Sequence, residues 1–242
     1  VKILEMDQAA LDKGLGIVKK NYEASAWKGR ISSEDVDVRM GLIEGTTTYS
    51  DLKDVDLVIE AVFENMDVKK EVFSKLNETV SENTILASNT SYLDIDEIAT
   101  VVDNPERVLG MHFFSPANIM RLLEIIKAEK TSPAILATVL KLAKSIKKVG
   151  AVAGVCHGFI GNRMLTGYSR EANLLVLEGA PPEQVDRVLY EFGMPMGVIA
   201  MADMAGIDIG TRLRQQMDES DYDVMATSVA DKLVAQGRCG QK

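Results

Sequence analysis

A histidine and a glutamate in neighbouring apolar segments are the residues of this chain best suited to chemistry. His112 ends a predicted strand that begins at Val108, and Glu124 lies near the start of the next one, 122–126. The residues Ser-Pro-Ala-Asn at 115–118 interrupt the pattern, so the two strands are predicted to lie side by side. A carboxylate beside an imidazole fixes the ring tautomer and leaves the second ring nitrogen free to accept a proton. The pair could therefore be a general base, although a structural salt bridge is the commoner role of such a pair on its own.

Four polar residues follow two other predicted strands. Glu64 and Lys69 come after the apolar stretch at 55–61, and Asn89 and Ser91 come after the next strand. The carboxyl ends of parallel strands form the edge at which ligands of open α/β sheets bind, so this position favours a binding role. Taken singly, the asparagine and the serine would be helix-cap and turn residues, and the glutamate and the lysine a solvated ion pair.

Three further polar residues stand at the boundaries of predicted elements. Glu5 ends the first apolar strand, and Asn162 lies in a glycine-flanked segment, 158–163, that opens a helix. In a dinucleotide-binding fold, an acidic residue at the end of the second strand binds the ribose hydroxyls. On their own, Glu5 would be a surface carboxylate and Asn162 a helix-start residue bonded to the backbone. His157, the other histidine, has no acidic neighbour and is interpreted as structural.

The hydrophobic pattern predicts alternating strands and helices up to about residue 150, and mainly helices beyond it. The predicted strands are 1–5, 55–61, 84–88, 108–112, 122–127 and 152–155. The predicted helices are 9–20, 67–80, 132–146, 159–177 and 182–192. Strands that alternate with helices are typical of a parallel sheet covered on both faces. We therefore predict an α/β fold, with a Rossmann-like doubly wound domain over 1–150 and a smaller all-α domain over 151–242.

Composition restricts the partners and the location. The chain has 242 residues and a formal net charge of −9, which disfavours nucleic acid and anionic membranes as partners. Cys156 and Cys239 form no metal-ligand spacing and indicate a reducing compartment. Nothing resembles a signal peptide, and no apolar run approaches the roughly 20 residues of a membrane span. These features predict a cytoplasmic protein without a metal site.

Four motifs together resemble the 3-hydroxyacyl-CoA dehydrogenases. They are Glu60-Ala61-Val62-Phe63-Glu64-Asn65, Ser88-Asn89-Thr90-Ser91, His112-Phe113-Phe114-Ser115-Pro116 with Glu124, and Gly158-Phe159-Ile160-Gly161-Asn162-Arg163. Their order and spacing are specific, and the resemblance covers nearly the whole chain. It implies NAD as the cofactor, an acyl-CoA as the substrate, and oxidation of an L-3-hydroxyacyl-CoA to the 3-ketoacyl-CoA in fatty-acid β-oxidation.

The resemblance also implies a role for each matched residue. His112 would be the general base and Glu124 its orienting partner. Ser91 and Asn162 would hold the substrate's hydroxyl oxygen as charge develops on it. Lys28 matches a lysine that helps to hold coenzyme A. The residues that match positions lining the nicotinamide cofactor are Glu5, Glu64, Lys69, Asn89 and Ser115.

Details of these motifs are closer to the multifunctional fatty-acid oxidation proteins than to the short monofunctional enzymes. Glu5, Ser115 and the segment 159–163 carry this likeness. In those larger proteins a hydratase domain precedes this part, and a thiolase subunit or a second copy is implied as a partner. No G-x-G-x-x-G motif occurs in the chain. We therefore expect a first strand and a phosphate-binding turn upstream of Val1, an incomplete helical domain, weak NAD binding by the 242-residue chain alone, and self-association through a strand edge.

Two other interpretations stay open. Other two-domain hydroxy-acid dehydrogenases, of the 3-hydroxyisobutyrate or 6-phosphogluconate kind, use a catalytic lysine from the helical domain, and no lysine occurs between Lys148 and Lys232. A chain without the phosphate-binding turn could instead be a non-catalytic remnant that binds acyl-CoA or serves a structural role.

Overall fold

The computed structural model describes residues 1–215 and 222–241 and divides into two compact units. The first unit is Val1–Phe159 and the second is Ile160–Lys242. The domain boundary expected near residue 150 falls inside the strand Val149–Gly154, which pairs with a strand of the first unit. The first unit therefore extends further along the chain than the hydrophobic pattern indicated.

The strands of the described residues belong to the first unit. They are β1 Lys2–Leu4, β2 Glu44–Thr46, β3 Leu57–Glu60, β4 Ile85–Ser88, β5 Val108–Phe113, β6 Leu122–Lys127 and β7 Val149–Gly154. β1 and β2 form a two-stranded parallel sheet, and the other five form a sheet in the order β3-β4-β5-β6-β7. Within the larger sheet only β5 and β6 are antiparallel. A parallel crossover needs a dozen or more residues, and the loop 114–121 is shorter than that, so the sheet is mixed rather than wholly parallel.

The helices of the described residues are α1 Gln8–Trp27, α2 Ser33–Met40, α3 Met66–Thr79, α4 Ile95–Ala99, α5 Pro133–Ser145, α6 Gly161–Leu177, α7 Pro182–Phe192, α8 Val198–Ala205, α9 Asp208–Arg214 and α10 Val224–Ala235. Six of them, α1 to α5 and α10, follow a residue whose side chain accepts a free backbone N–H group of the first turn. Ser32 and Asp35 form a capping box at the start of α2. Asn65 caps α3, and Ser132 caps α5 ahead of a proline in its first turn. No helix in the described parts of the chain is both long and apolar enough to cross a membrane.

Two hydrophobic clusters lie on opposite faces of the five-stranded sheet. Leu86 and Val108 belong to one cluster, and the residues that follow them, Ala87 and Leu109, belong to the other. Successive strand residues point to opposite faces, so each cluster covers one face. Helices α3 and α4 contribute to the first cluster and α5 to the second. The predicted Rossmann-like α/β architecture is confirmed, and it holds the strand ends in fixed positions.

The second unit packs around a smaller apolar cluster. Ala172 of α6, Val185 of α7 and Val198 of α8 form its buried centre. The Asp186 carboxylate of α7 accepts two backbone N–H groups in the first turn of α8, at 2.9 and 2.8 Å. This contact caps α8 from a neighbouring helix, so the two helices are joined by charge-assisted hydrogen bonds as well as by apolar packing.

Candidate active site

The β5–β6 register places His112 opposite Glu124, as the sequence predicted. His112 Nδ1 is 2.7 Å from Glu124 Oε2, and the two residues are 4% and 0% exposed. Gly110 lets these strands approach, because a Cβ at this position would lie only 2.8 Å from Ile126 Cβ. A carboxylate acceptor makes Nδ1 the donor, so Nε2 is the nitrogen available for a proton.

Two aromatic rings pack against the His112 imidazole. The ring centroids of Phe114 and Phe159 lie 4.4 and 5.9 Å from its centroid. Phe159 is only 2% exposed, and its φ of 47° is in the left-handed region. Together with Glu124 these rings restrict the imidazole to one orientation. Both phenylalanines occur in the quoted motifs, but nothing in their spacing predicts ring contacts with the histidine.

Asn89 connects the ends of β3, β4 and β5 by hydrogen bonds. Its backbone N–H donates to the Glu60 carbonyl at 2.8 Å, and its side-chain oxygen accepts the Phe113 N–H at 2.8 Å. Phe113 follows His112 directly, so Asn89 ties the end of β4 to the strand that carries the imidazole. The predicted role of Asn89 in cofactor binding stays a prediction, and this contact leaves its amide NH₂ as a donor.

Glu64 organises the turn that carries Ser91. One carboxylate oxygen, Oε1, accepts the Thr90 hydroxyl at 2.5 Å and the N–H groups of Ser91 and Tyr92 at 2.8 and 3.1 Å. Burial, and to a smaller degree the nearby Glu64 charge, raises the pKa of the Tyr92 hydroxyl, which therefore stays neutral. The Glu64 side chain remains 31% exposed, so it can also meet a ligand.

Lys69 is buried rather than solvated. Its Nζ lies 2.8 Å from Glu60 Oε1 and 3.5 Å from Glu64 Oε2, and its side chain is 1% exposed. The interpretation of Glu64 and Lys69 as a solvated ion pair is therefore wrong, because the glutamate at the end of β3 draws the ammonium inward. The predicted cofactor contact of Lys69 stays a prediction.

The loop between β5 and β6 carries the exposed Ser115 and is held by a lysine that the sequence did not single out. Lys148 Nζ donates to the Met120 carbonyl at 2.6 Å and to the Ala117 carbonyl. It also lies 5.9 Å from the centroid of the Phe113 ring. The loop that follows β5 is thus anchored to the residue just before β7.

The other predicted site residues lie apart from this cluster or in the second unit. Glu5 follows β1, and its N–H donates to the Thr46 carbonyl at 3.1 Å. Lys28 is exposed at the C-terminal end of α1, and Asn162 is on the first turn of α6. Within the described residues no side-chain hydrogen bond joins Glu5 or Lys28 to the His112 cluster.

A mixed Rossmann-like sheet with a buried histidine–glutamate pair at its strand ends is the arrangement expected of a nicotinamide-dependent dehydrogenase. The family profile of the 3-hydroxyacyl-CoA dehydrogenase NAD-binding domain matches residues 1–156, and that of the C-terminal domain matches residues 158–242. The chain therefore belongs to the 3-hydroxyacyl-CoA dehydrogenase family. This confirms the predicted family and its NAD cofactor, and it removes the other two-domain hydroxy-acid dehydrogenases as alternatives.

Known relatives include multifunctional proteins, as the motif details predicted. The peroxisomal bifunctional enzyme of Danio rerio is 40% identical over 251 residues, which cover 99% of this chain and 34% of that protein. The Homo sapiens protein of the same name is 51% identical over 170 residues, or 70% of this chain and 24% of that protein. The structure of an (S)-3-hydroxybutyryl-CoA dehydrogenase from Ralstonia eutropha has a TM-score of 0.90 and 33% identity, covering 100% of this chain and 87% of that one. The chain thus spans about a third or less of the length of these curated relatives.

Proposed function

We propose that this chain catalyses the NAD-dependent oxidation of an L-3-hydroxyacyl-CoA to the 3-ketoacyl-CoA in fatty-acid β-oxidation. The observation that carries this proposal is the buried His112–Glu124 pair, with 2.7 Å between Nδ1 and Oε2. A hydroxyl group loses its proton as hydride leaves the carbon, and an imidazole held in one tautomer is suited to accept that proton.

In the proposed reaction, His112 Nε2 accepts the proton of the substrate hydroxyl, while Glu124 holds Nδ1–H and stabilises the imidazolium that forms. Ser91 and Asn162 are proposed to hold the oxygen as its charge changes. NAD, when bound, supplies the acceptor for the hydride that leaves C3.

The strand ends of the first unit fit a nicotinamide cofactor. Glu64 offers a partly exposed carboxylate, and Asn89 an amide, at the carboxyl edge of β3 and β4. We propose that Glu5, Glu64, Lys69, Asn89 and Ser115 line this cofactor and that Lys28 contacts the coenzyme A moiety.

The direct test is the appearance of NADH when the chain is mixed with L-3-hydroxybutyryl-CoA. Millimolar NAD is used so that cofactor binding does not limit the rate. NADH formation that depends on His112 supports the proposal. Calorimetric binding of acyl-CoA without any NADH formation, even at saturating NAD, would instead favour a non-catalytic acyl-CoA-binding protein.

Location and partners remain predictions. The cysteine usage predicts a cytoplasmic protein, whereas the names of both curated relatives place those proteins in peroxisomes. Cell fractionation with an antibody to this chain distinguishes the two compartments. Association with a thiolase subunit or with a second copy is tested by light scattering of the purified chain with and without a thiolase.

A further inference from the structure

The buried charges beside the candidate active site form a series of contacts that ends at Ser91. Lys69 lies on α3, and its Nζ is 2.8 Å from Glu60 Oε1 and 3.5 Å from Glu64 Oε2. Glu64 in turn accepts the N–H groups of Ser91 and Tyr92 through its other oxygen. If the Lys69 ammonium moves, the Glu64 carboxylate can move with it and shift the turn that carries Ser91.

Glu60 holds the Lys69 ammonium and stands at the other end of this series of contacts. Its Oε1 accepts the Val62 N–H at 2.6 Å as well as the Lys69 ammonium, and its Oε2 accepts the Ser88 hydroxyl at 2.7 Å. The side chains of Glu60 and Lys69 are each 1% exposed. Replacing a buried ion pair by neutral side chains is often neutral for stability, so stability alone does not account for two charges at this place.

We propose that Glu60 and Lys69 are positioning residues that hold the Glu64 carboxylate, and through it the Ser91 turn, in the arrangement that the reaction needs. The inference rests on the proposed dehydrogenase function. Lys69 shares its positive charge between the carboxylates of Glu60 and Glu64. Neither Glu60 nor Lys69 needs to touch the substrate, because Glu64 transmits their position.

A pair of neutral substitutions separates positioning from stability. In Glu60→Gln/Lys69→Met both buried charges are removed together, so neither is left unpaired and we expect the melting temperature to change by only a few degrees. Glu64 then lacks its cation. We therefore expect the amide hydrogens of Ser91 and Tyr92 to exchange about tenfold faster or more, as measured by NMR.

The chain offers a matched control on the same helix. Glu71 and Lys75 form an exposed pair on α3, with 2.6 Å between Oε1 and Nζ. Glu71→Gln/Lys75→Met makes the same two chemical changes without touching the buried contacts. We expect this variant to keep the parent exchange rates and the parent turnover number.

Steady-state kinetics add a second measurement, because removing a pair with a purely structural role would leave kcat of the folded protein unchanged. In the Glu60/Lys69 double variant we expect kcat for L-3-hydroxybutyryl-CoA, measured at saturating NAD, to fall about tenfold or more, because small displacements of reacting groups are costly. A higher KM for NAD with unchanged kcat would show that Lys69 acts in cofactor binding alone, and would overturn the proposal. Parent exchange rates and parent kcat in the double variant would also overturn it.

Two further results keep the test decisive. A parent chain that does not oxidise the substrate contradicts the proposed function, while the exchange rates of Ser91 and Tyr92 still test the positioning role. If the double variant does not fold, Glu60→Gln alone is used, because the amide keeps the shape of the side chain. The Lys69 ammonium then loses the charged partner that fixes its position, so Glu64 is held less firmly and exchange in the Ser91 turn should be faster. Unchanged exchange there would overturn the proposal.

Discussion

Charged side chains are arranged differently in the two units of this chain. In the first unit, Glu60, Lys69 and Glu124 pair at the strand ends with no more than 1% of their side chains exposed. In the second unit, the Arg170 side chain is 48% exposed where it pairs with Asp223 on the α6–α10 side of the helical cluster. Exposed pairs contribute roughly 0–1 kcal/mol, whereas removing one partner of a buried pair costs about 3–5 kcal/mol.

This difference indicates where the chain uses charge to position reacting groups. Each buried charge pair at the strand ends includes or adjoins a residue with a predicted role. Glu124 pairs with His112, and Lys69 pairs with both Glu60 and Glu64. The ion pairs among the described residues of the helical unit instead lie within single helices or join neighbouring helices, as the Arg170–Asp223 pair does. Substitutions in the first group should therefore affect turnover, and those in the second group should affect stability alone.

The largest expected effect is that of removing the candidate base. We expect His112→Gln to lower kcat by about 10²–10⁴, the usual contribution of a positioned general base, with little change in melting temperature. His157→Gln is the matched control, since it changes the only other histidine, and it should leave turnover unchanged. A loss of less than tenfold in a folded His112→Gln protein would contradict the assignment.

A smaller loss is expected when the orienting carboxylate is made neutral. Glu124→Gln keeps an oxygen that can accept the Nδ1–H of His112, but it removes the charge that stabilises the imidazolium. We expect kcat to fall, by less than in His112→Gln, while KM for NAD is unchanged. Initial rates at saturating NAD measure this effect, and a variant as active as the parent would show that Glu124 has a structural role only.

The third prediction concerns the exposed end of α1 in the first unit. A charge-assisted contact between Lys28 and a coenzyme A phosphate predicts that Lys28→Ala raises KM for acyl-CoA by about 10- to 100-fold and leaves KM for NAD unchanged. Lys20→Ala, an exposed lysine on the same helix, is the control and should change neither constant. Equal increases in both KM values for Lys28→Ala would count against the contact.

The smallest effect is expected in the helical unit. Asp223 caps α10 through the Ala226 N–H at 3.0 Å and pairs with Arg170 at 2.7 Å, and these contacts, the cap first, lower its pKa. Because the folded-state pKa is the lower one, this stabilisation is present above the unfolded pKa and is lost as the pH falls below about 4. Asp223→Asn should lower the melting temperature at pH 7 by a few degrees at most, without affecting kcat. A large loss of kcat in this variant would contradict the division between the units.

The sequence predicted those parts of the site that depend on strand register and family motifs. His112 and Glu124 could be paired because two apolar strands flank a short break, and such strands form a hairpin. The motif residues Asn89 and Ser91 could be placed at the sheet edge because each follows a buried strand. These inferences needed only local pattern and the rule that parallel strands share one edge.

Features that depend on burial were not predictable in this way. Lys69 was predicted to line the cofactor, with a solvated ion pair as the alternative, and nothing in the spacing shows that Glu60 draws its ammonium into the interior. The β2 strand, Glu44–Thr46, is short and half polar, so it gives no periodic signal. Lys148 donates hydrogen bonds to the loop after β5. These contacts join residues that are far apart in sequence, so a local pattern does not reveal them.

The central claim is that Glu124 holds His112 with its proton on Nδ1, so that Nε2 is the base. Long-range ¹⁵N–¹H NMR of the imidazole nitrogens measures this tautomer directly, and the chain has only two histidines to assign, with His112→Gln identifying the signals. At pH values where the ring is neutral, we predict a protonated Nδ1 and an unprotonated Nε2 for His112. A neutral ring with its proton on Nε2 would contradict the account, because that nitrogen could not then accept the substrate's proton.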